Sequence, residues 1–178
     1  MISASSWIIR VDQFRTSVVA VSSDEYVTHL PRINVAKEAS AAYRAMMLVS
    51  KASHDGVDPI LAELIKIRAS QINGCGFCID MHATDARKHG EDERRIYALP
   101  AWRELSFYTA RERAALALTE EGTLLAEGGV SDATWAEAEK QFSQAELAQI
   151  ITMIATINAW NRISVISRNQ PPSLGGAE

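Results

Sequence analysis

The chain has 178 residues, 47% of them hydrophobic and 22% charged, which suffices for one domain with a real core and barely for two. A formal net charge of −4 and the lack of any Lys/Arg cluster argue against nucleic acid as a partner, because phosphate binding needs a basic surface. No stretch approaches the ~20 apolar residues of a membrane span. The opening MISASSWIIRVDQF is broken by Arg10, Asp12 and Arg15 and makes no secretory signal. The reading is therefore a cytoplasmic protein without a membrane partner, in a compartment that keeps thiols reduced.

Residues 1–30 read as an N-terminal extension, with a β-prone Val18-Val19-Ala20-Val21 and Pro31 closing the segment. A helical domain is expected over 31–168, followed by a flexible tail over 169–178 that holds Pro171-Pro172 and Gly175-Gly176. Asn34 to Ser53 is rich in Ala, Met and Leu and predicts one helix. Asp58-Pro59 supplies an N-cap and a first-position proline for a helix through Asn73, which Gly74 ends. A third helix carries the cysteines to about His89, with Gly90 just beyond its end. A short helix from about Glu91 to Ala98 is stopped by Pro100. Thr109-x-x-Glu112 is a capping box ahead of Ala114 to Ala126, which Gly128-Gly129 closes. Ser131 caps a helix containing Trp135, and a second capping box, Ser143-x-x-Glu146, opens a long apolar helix to about Arg168. No stretch alternates long enough to demand a sheet, so the predicted class is all-α.

Both cysteines lie in one Cys-x-x-Cys, Cys75 and Cys78, which excludes a structural disulfide framework and leaves redox chemistry or metal. On a helix, Cys75, Cys78 and His82 fall within ~60° of one another. A spacing of three also brings the two Cα atoms to ~5 Å, a separation that a disulfide tolerates. Gly74 just before the helix puts the cysteines in its first turn, where free N–H groups and the macrodipole favour a thiolate. His82, one turn after Cys78, can take or return a proton. Glu63 lies twelve residues before Cys75 and borders the apolar stripe of Ile60, Leu64 and Ile67, where it could serve the thiols as a base. It could equally be a solvated residue paired with Lys66 or Arg68.

Glu63, then Cys-x-x-Cys, then a histidine four residues on resembles the alkylhydroperoxidase D-like (AhpD-like) branch of the carboxymuconolactone decarboxylase superfamily. The resemblance extends over Ile67-Arg68-Ala69-Ser70-Gln71-Ile72-Asn73-Gly74, Trp102-Arg103-Glu104, Thr109 to Leu116 and Ile157-Asn158-Ala159-Trp160-Asn161-Arg162, and covers roughly Arg32 to Arg168. It implies a compact multi-helix domain with the Cys-x-x-Cys at the start of a central helix, and assembly into homo-oligomers. It also implies an antioxidant peroxidase that reduces alkyl hydroperoxides through a dithiol/disulfide cycle. Carried over by position, Cys78 would be the peroxide-reacting thiolate, Cys75 the resolving thiol, and Glu63 and His82 the proton relay. No cofactor is implied beyond the redox-active Cys75–Cys78 pair. The partners implied are a hydroperoxide substrate and a dithiol or protein reductant. The family's best-studied members carry a histidine between the cysteines; Phe77 stands there in this chain, which removes one relay group.

The same parts would support general thiol–disulfide exchange or a redox sensor without turnover, and a decarboxylase-type activity is disfavoured by the Cys-x-x-Cys. Cys75, Cys78, His82 and Glu63 could also supply four zinc ligands, although no second ligand pair accompanies them. His89 reads as a helix-end residue, and His29 and His54 as surface residues. Arg68 and Gln71 fall within an apolar arc and either snorkel outward or make a buried polar contact at a subunit interface. Trp102, Trp135 and Trp160 read as core or interface anchors.

Overall fold

In the computed structural model, which describes residues 29–172, helices follow one another along the chain and the described residues contain no strand. The all-α class holds. The helices are α1 (Val35–Glu38), α2 (Ser40–Ala52), α3 (Pro59–Ile72), α4 (Gly76–Lys88), α5 (Glu93–Ala98), α6 (Ala110–Thr123), α7 (Asp132–Gln141) and α8 (Gln144–Ser167). The extension expected over residues 1–30 lies outside the described residues except for its last two, as does the tail beyond residue 172.

The local signals act where the sequence puts them. Asp58 accepts a hydrogen bond from the Leu61 N–H ahead of Pro59, and Thr109 and Ser143 each form a complete capping box with Glu112 and Glu146. Ser131 caps α7 through the Thr134 N–H. Four expectations need correction. The single helix over Asn34–Ser53 is two, divided at Ala39 (φ −119°, ψ 44°), a residue whose own propensity gives no reason for a break. The short helix begins at Glu93 because Asp92, not Glu91, is its cap. Pro100 does not stop the chain's winding but enters a 3₁₀ segment, Leu99–Glu104, whose first turn needs no proline N–H. The helix expected to reach Ala126 ends at Thr123 and passes into a 3₁₀ turn, Leu125–Glu127, before the two glycines.

Helix α3 is the middle of the molecule, with nine of its fourteen residues buried. One side meets α6, α7 and α8 through a cluster that includes Leu61, Ile65, Leu118, Leu147, Ile150 and Met153. The other meets α4, α6 and the 3₁₀ segment through Leu64, Ile67, Ala86, Leu99, Trp102 and Leu116. Full burial of each large aliphatic side chain contributes roughly 1.5–3 kcal/mol. The same helix carries Glu63 and Lys66 inward as each other's ionic partner.

Arg68 resolves the open question about α3's polar arc in a third way. Its Nε donates to Glu120 Oε1 at 2.7 Å, and its Nη1 donates to Gln71 Oε1 at 3.2 Å, so the contact is half-buried and lies within one chain. Trp102 donates from Nε1 to the same Glu120 oxygen at 2.9 Å, and the guanidinium groups of Arg103 and Arg113 lie 4.2 and 5.0 Å from its ring. It is a core anchor with its one polar atom satisfied.

Candidate active site

The turn that sets the cysteines is shared by two helices. Helix α3 closes in a Schellman motif: Cys75 N–H donates to the Ser70 carbonyl at 2.9 Å and Gly74 N–H to the Gln71 carbonyl at 3.3 Å. The motif needs a left-handed residue at Gly74 (φ +65°), where any Cβ would be strained. The next residue, Cys75, is already the N-cap of α4, and its Sγ accepts from the Cys78 N–H at 3.3 Å. Thus Cys75 stands one position before the helix and Cys78 in its first turn. They are joined as a disulfide with Cα atoms 5.4 Å apart, and both sulfurs' residues are only 1% exposed.

This turn is tied to α8 by amides. Asn73 Nδ2 donates to Asn158 Oδ1 and Asn161 Oδ1, both at 2.9 Å, and Asn161 Nδ2 donates to Ser70 Oγ at 2.9 Å. Asn158 in turn donates to Thr123 Oγ1 at 3.0 Å. Sequence reasoning noted the Asn158–Arg162 stretch only as part of a resemblance. The available signal was two asparagines three residues apart in an otherwise apolar helix.

Glu63 is buried and accepts hydrogen bonds on both oxygens. His82 Nδ1 donates to Oε2 at 2.9 Å and Lys66 Nζ donates to Oε1 at 2.6 Å. The pairing expected with Lys66 forms, but Glu63 is buried rather than solvated. Burial pushes its carboxyl up, but the His82 hydrogen bond and the charge and hydrogen bond of Lys66 together outweigh that, leaving it below the ordinary value of 4.5. A carboxylate only accepts, so His82 carries its proton on Nδ1 and, when neutral, has Nε2 as the basic nitrogen.

Cys78 and His82 line a cavity of about 300 Å³ whose walls include Tyr43, Met47, Met81, Met153, Ile157 and Trp160. Tyr43 and Trp160 meet edge to face at 4.8 Å. Cys75 does not line this cavity. It borders a second cleft with Gly74, Gly76, Arg168 and Gln170, and Phe77 borders both. The structure thus sets Cys78 and His82 on one space, with Glu63 bonded to His82 but off the cavity wall, and turns Cys75 toward another. His54, read as a surface residue, is half-buried on the first cavity and bonded to Lys66 at 2.9 Å. No sequence motif marks it; Lys66, three residues after Glu63 on one helix, was visible as a pairing candidate. His89 is exposed at the C-cap of α4. Among the described residues no cluster of three or more His, Cys, Asp or Glu side chains is arranged to hold a metal ion.

An all-helical body with a paired Cys-x-x-Cys at the start of a helix, backed by a buried His–Glu pair, defines a class of dithiol protein. The carboxymuconolactone decarboxylase family model matches residues 37–121. YdfG of Bacillus subtilis (strain 168), itself uncharacterized, is 41% identical over 143 residues, covering 80% of this chain and 97% of that protein. The alkyl hydroperoxide reductase AhpD of Hyphomonas neptunium is 36% identical over 87 residues, covering 37% of this chain and 48% of the enzyme. Among solved structures, ATU0492 from Agrobacterium tumefaciens superposes with a TM-score of 0.79 at 39% identity, covering 81% of this chain and 99% of that one. That protein is of unknown function and has been suggested to be an antioxidant defence protein AhpD. The chain belongs to the carboxymuconolactone decarboxylase family, in its AhpD-like branch.

Proposed function

We propose that the protein is a thiol peroxidase that reduces organic hydroperoxides through Cys78 and Cys75. The observation that carries this reading is the placement of Cys78 and His82 on one largely apolar cavity, with His82 held by Glu63 from behind. In the reduced protein, His82 Nε2 takes the Cys78 proton and the thiolate attacks the terminal peroxide oxygen. The O–O bond breaks, Cys78 becomes a sulfenic acid, and His82 returns the proton to the departing alkoxide as an alcohol. The Cys75 thiol then condenses with the sulfenic acid, forming the disulfide and releasing water. An external dithiol restores both thiols and is itself oxidised to a disulfide.

The apolar walls support an alkyl or aryl hydroperoxide over hydrogen peroxide, and the cleft beside Cys75 supports separate access for the reductant. The AhpD names of several relatives point the same way. Among the described residues no helix is long and apolar enough to cross a membrane. Self-association belongs to the same reading, since α2 exposes Met47, Leu48 and Val49.

The test is stoichiometric. One equivalent of cumene hydroperoxide added to reduced protein should consume two thiols and yield the intramolecular disulfide. Cys78→Ser should be inert, and Cys75→Ser should accumulate a sulfenic acid trapped by dimedone. If wild-type thiols survive excess hydroperoxide yet exchange with small disulfides, the protein is a thiol–disulfide oxidoreductase instead.

A further inference from the structure

Glu63 is not the end of the hydrogen-bonded line behind the thiol. Lys66 Nζ lies 2.6 Å from Glu63 Oε1 and 2.9 Å from His54 Nε2, and His54 Nδ1 lies 2.7 Å from the Ser50 carbonyl. A carbonyl only accepts and an ammonium only donates, so every direction follows. His54 keeps its proton on Nδ1 and offers Nε2; Lys66 donates to both sides; Glu63 receives from Lys66 and His82. The line crosses from the loop after α2, through α3, to α4, and its Lys66 side chain is only 8% exposed. A lysine so withdrawn from water is retained where its charge is matched, and here it is matched by one carboxylate and one imidazole nitrogen.

His82 must gain and lose a proton in each cycle of the proposed chemistry. When it is neutral, it is a weak partner for a buried carboxylate, and burial alone drives Glu63 toward taking up a proton. A protonated Glu63 would no longer need the Nδ1–H, and the nitrogen presented to Cys78 would be undefined. Lys66 supplies a charge that does not depend on the state of His82. The other ionisable group on the cavity wall is Tyr43 from α2; α8 contributes only neutral side chains there, such as Thr156 and Ser164.

We propose that Lys66 is a positioning residue of the thiol site that acts through Glu63, keeping the carboxylate anionic in both states of His82, and that His54 is the acceptor that seats its ammonium. This rests on the reading of Cys78 as the attacking thiolate.

Two measurements on Cys75→Ser protein, kept reduced, test the proposal. The Glu63 side-chain carboxyl is titrated by ¹³C NMR, assigned with Glu63→Gln, and Cys78 alkylation by iodoacetamide is followed against pH. Lys66→Met should raise the Glu63 midpoint by about one unit or more. It should also slow alkylation over the pH range in which Glu63 then takes up its proton, and Lys66→Arg should restore both. His54→Leu should move both in the same direction by less, and His54→Gln, which keeps an acceptor, should stay near wild type. An unchanged Glu63 midpoint in folded Lys66→Met overturns the proposal, as does a shifted midpoint with an unchanged alkylation profile. If Lys66→Met fails to fold by circular dichroism, His54→Leu read in the same way decides. Alkylation involves no peroxide. A wild type inert to hydroperoxide would therefore sink the peroxidase reading and leave this inference standing.

Discussion

Glu63 Oε2 and His82 Nδ1 lie 2.9 Å apart although nineteen residues and a helix–helix turn separate them. The contact exists because α3 and α4 run back along each other from the Gly74 turn. It fixes the tautomer of His82, which shares a cavity with Cys78. Positioned proton transfer of this kind contributes roughly 10²–10⁴-fold to a rate. Replacing Glu63 with Gln should therefore slow hydroperoxide-driven thiol loss by at least about 10²-fold, in stopped-flow measurements on protein of unchanged helicity.

The same carboxylate should be visible in the acid limb of stability. Glu63 is held below its ordinary value of 4.5, so the unfolded chain binds its proton first as pH falls. Its contribution is complete above about pH 4.5 and is lost as pH drops through the lower folded value. Urea midpoints measured from pH 6 down to pH 3 should fall less steeply for Glu63→Gln than for wild type. Equal slopes would mean that the folded and unfolded states titrate alike at this position.

Phe77 borders both the cavity at Cys78 and the cleft at Cys75, from its position between the two cysteines. Phe77→His should add a basic group beside the sulfurs. We expect the pH midpoint of Cys78 alkylation in the Cys75→Ser background to fall and hydroperoxide oxidation near neutrality to rise several-fold. An unaltered profile would assign Phe77 a purely wall-forming role.

The asparagine junction should matter for stability as much as for chemistry. Asn161 is fully buried, and its loss leaves Ser70 and Asn73 each short of a partner. Ser70 keeps its bond to the Lys66 carbonyl and Asn73 its bond to Asn158, so two hydrogen bonds of about 0.5–1.5 kcal/mol each are lost, and the cavity adds to that. Asn161→Ala should lower the urea midpoint accordingly with an unchanged denaturant slope. Its Cys75–Cys78 pair should also be reduced more readily by dithiothreitol, because the turn that presents the pair is held by this junction.

The local part of this protein was legible from residue order alone. Caps such as Asp58, Thr109 and Ser143 and the stop at Gly74 act over three or four residues, and the structure honours each of them. The Cys-x-x-Cys spacing likewise determined that the sulfurs would be neighbours, since a separation of three along a helix leaves little choice. What only the folded chain decided were the contacts between elements. Lys66 was visible as a neighbour of Glu63, but not that both would be buried, nor that His54 would complete the line from a different loop. The asymmetry of the two cysteines, one on each cavity, depends on how α8 and the residues after it close against the start of α4. Backbone capping is set by nearest neighbours, whereas burial and long-range hydrogen bonding are set by which surfaces meet. The apolar periodicity that brings those surfaces together does not say which polar side chains will be enclosed when they do.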